Sequence, residues 1–116
     1  MSVYKIFHNP KCSKSRQTLQ LLKDNNCKIQ IISYLEVDLN VSLIKELLKK
    51  LSLKPRDILR KGEQEYRVNN LKSKNLSEED LINYMTKYPK LIARPIVLKG
   101  DKAIIGRPPE NILKLF

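Results

Sequence analysis

Tryptophan is absent, histidine occurs once and cysteine twice. So few nitrogen and sulfur ligands argue against a structural zinc site. Two cysteines, with no N-terminal apolar segment of the secretory kind, point to thiols kept reduced rather than to a structural disulfide. No apolar run approaches the roughly 20 residues that span a bilayer, so the expected setting is cytoplasmic, with no membrane partner. Glycine occurs three times. Neither a Gly-rich phosphate loop ending in Gly-Lys-Ser/Thr nor a dinucleotide fingerprint is present. Acidic residues are in deficit, 12 against 23 basic, for a formal net charge of +11. Nucleic acid is one partner such a balance suggests. Aromatics are only 6% of the chain, however, and they do not interleave with the basic residues as a base-stacking surface would. The lysines are scattered along the whole length, as solvated surface charges are. The charge still attracts small anions and acidic partners.

What the chain does have is one dense stretch, His8-Asn9-Pro10-Lys11-Cys12-Ser13-Lys14-Ser15-Arg16. Before it, Val3-Tyr4-Lys5-Ile6-Phe7 alternates as a half-buried strand does. After it, Ser15, Thr18, Leu19 and Leu22 recur at helical spacing. Cys12 therefore falls in a strand-to-helix turn, at or just before a helix N-terminus. Unpaired amide N–H groups and the positive end of the helix dipole favour an anion there, whether a thiolate or an oxyanion ligand. Lys11, Lys14 and Arg16 add positive charge, and His8 is a candidate to add more. A thiol so placed is expected to be ionised near neutral pH and nucleophilic.

The same stretch excludes other thiol chemistries. A phosphatase-like loop needs Cys, five residues and Arg, whereas Arg16 follows Cys12 after three. Where a dithiol redox protein has Cys-x-x-Cys, this chain has Cys12-Ser13-Lys14-Ser15. Ser15 can offer a hydroxyl to the thiolate but cannot form a disulfide. A helix over roughly 14–25 would be about 18 Å long and would separate Cys12 from Cys27, too far for a disulfide without unfolding. A redox cycle on Cys12 would therefore need a thiol from outside.

The rest of the chain reads as one domain. Ile29–Tyr34 continues as a second strand, parallel to the first through a right-handed crossover. Residues 37–87 read as helical. Asn40 is a candidate N-cap, ahead of Leu43, Ile44, Leu47, Leu48 and Leu51 on one face. Pro55 opens a further turn. Ser77 and Asp80 are spaced as a capping box before Leu81, Ile82, Met85 and Tyr88. Pro95–Leu98 and Lys102–Ile105 flank Lys99-Gly100-Asp101 as an antiparallel hairpin. Pro108-Pro109-Glu110 opens a last helix, with Ile112, Leu113 and Phe116 expected to face inward. The layout is α/β: thioredoxin-like β-α-β and β-β-α halves, about 1–36 and 88–116, with a helical insertion at about 37–87. Pro95, just ahead of the third strand, stands where such folds carry a cis-proline.

Five pieces now stand in order: Asn9-Pro10-Lys11-Cys12-Ser13-Lys14-Ser15-Arg16, Tyr34-Leu35-Glu36, Leu59-Arg60, Arg94-Pro95-Ile96-Val97 and Gly106-Arg107-Pro108-Pro109-Glu110. Together they resemble the glutaredoxin-dependent arsenate reductase family, the ArsC-like branch of thioredoxin folds, over the whole chain. The resemblance implies reduction of arsenate to arsenite with glutathione as co-substrate, glutaredoxin as partner and no bound cofactor or metal. It places the catalytic cysteine on Cys12 and the oxyanion-binding arginines on Arg60, Arg94 and Arg107. It places on His8 the histidine thought to help depress the thiol pKa.

Residue chemistry agrees. A tetrahedral oxyanion needs directed N–H donors, and the planar guanidinium fork supplies them in pairs. Only six of the 23 basic residues are Arg, and these three stand beside expected loop or strand ends. Arg94, before Pro95, is biased to extended backbone that would project it beside the Cys12 loop. Arg60 would cover the site from the helical insert, and Arg16 is expected to face solvent. Two other functions use similar features: a redox-responsive, Spx-like transcription regulator that binds RNA polymerase, and a basic binding module with an idle Cys12. Those regulators often carry Cys-x-x-Cys, which this chain lacks.

Overall fold

Strand β1 (Val3–His8) is the centre of the architecture. The computed structural model describes residues 3–33 and 39–116, so the Tyr34-Leu35-Glu36 motif lies outside the described residues. The chain divides into two compact units: the described residues of 1–37 together with 94–116, and those of 38–93.

In the first unit β1 pairs in parallel with β2 (Lys28–Ser33) and antiparallel with β3 (Ile96–Lys99), which pairs antiparallel with β4 (Lys102–Ile105). The strand order is β2-β1-β3-β4. Register aligns Ile6 with Ile31 on one side and with Val97 on the other, and Val97 with Ile104. Same-parity residues share a face. On that face Tyr4, Ile6 and Val97 join Leu22 of α1 (Ser13–Asp24) and Ile112 and Leu115 of the terminal segment in one core cluster. Full burial of an aliphatic side chain of this size contributes about 1.5–3 kcal/mol. The hairpin closes through Gly100, whose φ of +58° suits the first central position of a two-residue turn.

The terminal segment departs from the sequence expectation. Pro109–Leu115 is a 3-10 helix, not an α-helix, and its inward residues are Pro109, Ile112 and Leu115. Three residues per turn bring i, i+3 and i+6 onto one face. Leu113 and Phe116 are therefore turned outward, 45% and 49% exposed, although the Phe116 ring still meets Tyr4 edge-on at 5.7 Å. Lys99 ties this helix to the sheet by donating from Nζ to Leu115 O at 2.9 Å.

The second unit holds α2 (Val41–Leu51), α3 (Gln64–Val68) and α4 (Glu78–Lys87), with 3-10 turns over Pro55–Ile58 and Pro89–Leu91. Ile44, Leu47 and Leu48 of α2 and Leu81, Ile82 and Met85 of α4 are buried. The stretch is less continuously helical than its composition suggests. Leu59 and Ile92 form an isolated antiparallel bridge, and Arg60 N–H donates to Leu91 O at 2.7 Å. Both local start signals are realised. Ser77 and Asp80 make both bonds of a capping box, and Asn40 Oδ1 accepts from Leu43 N–H at 2.8 Å. Asn40→Ala is expected to cost about 1 kcal/mol, read as a lower urea midpoint at unchanged slope. No helix among the described residues is long and apolar enough to cross a membrane.

Candidate active site

The turn that carries Cys12 is built by its neighbours. Asn9 is buried and Pro10 follows it. Asn and Pro are favoured in this order at the first two places of a type I turn. The turn closes twice on Asn9: Lys11 N–H donates to Oδ1 at 3.0 Å and Cys12 N–H donates to the main-chain O at 3.0 Å. Cys12 then takes extended backbone, φ −97° and ψ 122°, as the N-cap of α1. Arg16 does more than face solvent: Nη1 donates to Pro10 O at 2.8 Å and holds the turn from outside.

The sulfur sits over the open N-terminus of α1. No full cap hydrogen bond closes on it, yet several donors act on its charge. Burial alone pushes the thiol pKa up. Against burial work the N–H of Ser15, the guanidinium of Arg94 through a hydrogen bond and its charge, and the N–H of Lys14. The balance lies below the ordinary thiol value. Charged and oriented donors favour the ionised form and together outweigh desolvation. Arg107 adds a further donor, with Nη2 3.8 Å from Sγ.

The two arginines come from two adjacent loops. Both precede prolines in cis peptide bonds, Arg94-Pro95 and Arg107-Pro108; the first was expected from the fold and the second was not. The loops are stitched together by backbone: Gly106 N–H donates to Pro95 O at 2.8 Å, and Arg107 Nε donates to Arg94 O at 2.8 Å. Thr18, fully buried on α1, donates from Oγ1 to Lys14 O at 2.8 Å and lies 3.4 Å from Gly106 O. A Cβ at Gly106 would sit 2.6 Å from that Oγ1. Glycine is what lets the Arg107 loop lie against α1 beside Cys12.

His8 is placed differently from the expectation of an added charge. It is buried, with Nδ1 2.7 Å from Ser15 Oγ. Burial, then the positive charges of Lys23 and Arg16, lower its pKa below the ordinary imidazole value, so it is neutral at pH 7. The Ser15 hydroxyl is engaged by His8 and by Asn9 N–H at 3.0 Å; the side chain of Ser15 serves the loop, while its amide serves the sulfur. Arg60 belongs to the other unit, where Nε lies 3.7 Å from Glu63 Oε1 and Nη1 is buried without a partner among the described residues. Cys27 is a second free thiol, half-buried against the core cluster. Burial raises its pKa, with Lys99 working weakly against that. Sequence reasoning thus found Cys12, Arg94 and Arg107 together and missed the parts of Asn9, Thr18 and Gly106.

A four-stranded mixed sheet in this order, with Cys12 at the N-cap of the first helix, is a thioredoxin-like α/β fold. More narrowly, the chain belongs to the ArsC family, whose model matches residues 7–115. It is 46% identical over 112 residues to the Escherichia coli K12 protein YfgD, covering 96% of this chain and 94% of that one. It is 40% identical over 112 residues to the arsenate reductase of Haemophilus influenzae, covering 96% and 97%. The solved structure of an arsenate reductase from Vibrio cholerae matches with a TM-score of 0.96 at 42% identity, covering 99% of this chain and 98% of that one.

Proposed function

We propose that this chain is an arsenate reductase whose nucleophile is Cys12. The observation that carries the reading is the single sulfur set between the α1 amides and two guanidinium groups, Arg94 and Arg107. The Cys12 thiolate attacks arsenic, a sulfur–arsenic bond forms, and one arsenate oxygen takes up two protons and leaves as water. Arsenic is still pentavalent in that adduct. The two electrons that bring it to the trivalent state come from two external thiols, glutathione and glutaredoxin, which end as a mixed disulfide; water then cleaves the bond between Cys12 sulfur and arsenic, which releases arsenite and restores the thiol. The Cys12-Ser13-Lys14-Ser15 sequence supports an external source, since no second thiol stands in the loop. Arg94 and Arg107 neutralise the bound oxyanion and the charge that shifts during attack. Arg60 enters the proposal as a third guanidinium on the register of the motifs alone; within its own unit its Nη1 is buried with no partner among the described residues. The setting is the cytoplasm, where a reduced thiol pool sustains the cycle.

Purified protein given arsenate, glutathione and glutaredoxin is expected to form arsenite. A well-folded sample without turnover would overturn the reading and favour a regulator that co-purifies with RNA polymerase. Arg94→Ala is expected to raise KM for arsenate by about 10- to 100-fold, the worth of a lost charge-assisted hydrogen bond. Lys14→Ala, which keeps the backbone amide, is expected to change it by less than about threefold. Equal losses from the two substitutions would show that general positive charge, not a directed fork, holds the anion.

A further inference from the structure

The loop that carries Arg107 to Cys12 is short of donors of its own. It runs Gly106-Arg107-Pro108-Pro109 from the end of β4 into the terminal 3-10 helix. Two consecutive prolines remove two main-chain N–H groups where the chain turns. The carbonyls of the loop must then find donors elsewhere. Asn111 supplies them. Its side-chain Nδ2 donates to Arg107 O at 2.8 Å and reaches Ile105 O at 3.5 Å. Its main-chain N–H donates to Pro108 O at 2.9 Å. The donor is firmly mounted, because Ile112 and Leu115 of the same helix belong to the core cluster.

The residue gripped by its carbonyl is the one whose side chain enters the site. Arg107 Nε donates to Arg94 O at 2.8 Å, and Nη2 stands 3.8 Å from Cys12 Sγ. On the other side of the loop, Gly106 N–H is held by Pro95 O at 2.8 Å. Two holds therefore set where the fork stands, one just before Arg107 and one on Arg107 itself. We propose that Asn111 is a positioning residue of the oxyanion site, its side-chain amide holding the Arg107 carbonyl so that the guanidinium is aimed at Cys12. The inference rests on Arg107 binding the oxyanion and is independent of whether that anion is then reduced.

Arsenate alone, without glutathione or glutaredoxin, is the probe, and the readout is the arsenate concentration that half-protects Cys12 from iodoacetamide. Asn111→Ala removes the donor, and Asn111→Leu removes it while keeping the volume and adding no charge. Each is expected to raise the half-protecting concentration about three- to tenfold, the worth of one neutral hydrogen bond. In an Arg107→Ala background the same substitutions are expected to change it by less than about twofold, since a residue that acts through Arg107 has nothing left to position. Circular dichroism and thermal melts select folded samples, and should Asn111→Ala not fold, Asn111→Leu carries the test. A wild-type value in Asn111→Leu, or an equal rise with and without Arg107, would show that Asn111 does not position the fork. Protection without turnover in the complete assay would overturn the reductase reading and leave this one standing; an absence of protection in the wild-type protein would overturn both.

Discussion

Cys12→Ser protein forms no arsenite above background with arsenate, glutathione and glutaredoxin, a loss expected to exceed about a thousandfold, because a serine hydroxyl is not ionised near neutral pH. Stability should move the other way. Serine is among the favoured N-cap residues, whereas the Cys12 sulfur closes no full cap bond on α1. The variant is therefore expected to melt at or slightly above the wild-type temperature, which separates chemistry from folding in one protein. The pH profile of the wild type completes the test. A thiol whose folded pKa lies below its ordinary value carries a larger thiolate fraction at pH 7 than an ordinary thiol, so alkylation of Cys12 is expected to be faster than that of an ordinary thiol there and to slow as the pH falls. Cys27, whose pKa is raised by burial, reacts slowly at the same pH. Mass spectrometry after brief alkylation at pH 7 should find Cys12 modified and Cys27 largely untouched; similar labelling of both thiols would contradict the activation described for Cys12.

Gly106→Ala is expected to cost more than any other single methyl added to this site. The new Cβ would lie 2.6 Å from Thr18 Oγ1 and 3.0 Å from both Thr18 Cγ2 and Pro95 Cγ. None of these atoms is the end of a flexible chain. Thr18 is fully buried and its hydroxyl is committed to Lys14 O, and Pro95 is a ring. Overpacking of this kind costs about 1–3 kcal/mol, visible as a lower urea midpoint. The displaced loop also carries Arg107, whose Nη2 stands at hydrogen-bonding reach of the sulfur. A shift near 1 Å in such a group lowers turnover by up to about a hundredfold. Thr18→Ala removes two of the three clashing atoms, so adding it to Gly106→Ala is expected to restore part of the lost stability, a coupling a double-mutant cycle reads directly. A Gly106→Ala protein with the wild-type midpoint and turnover would sink the close-approach argument.

Much of the scaffold was legible because its signals are local. The caps at Asn40 and Ser77 act within three residues, and the structure shows their bonds. The position of Cys12 followed from a strand period that changes to a helix period across a turn of Asn and Pro. Arg94 and Arg107 could be brought to Cys12 only through the layout of a β-hairpin and a terminal helix after β-α-β, and that layout is present with a 3-10 helix as its last element. What escaped depends on distant partners or on small differences of period. Over seven residues a three-residue and a 3.6-residue repeat both put Ile112 inward, and only packing decided for Leu115 over Phe116. The acceptor of Arg16 is a main-chain oxygen, which leaves no trace in residue type. The neutrality of His8 arises from burial and from cations of α1, neither of which the spacing around it reveals. Gly106 looks like any loop glycine until Thr18 is seen against it.

The half-buried Cys27 has one more consequence, for a cell under peroxide. The thiolate character proposed for Cys12 would also make it the thiol that peroxide converts to a sulfenic acid first. The helix between the two cysteines, 12 residues long, spans about 18 Å, and Cys27 packs against the core cluster beyond its far end. Such a sulfenic acid finds no resolving thiol within its own chain. It is rescued by a small thiol arriving from solution or it advances to the sulfinic acid, and the survival of this protein under oxidative load follows the soluble thiol concentration around it.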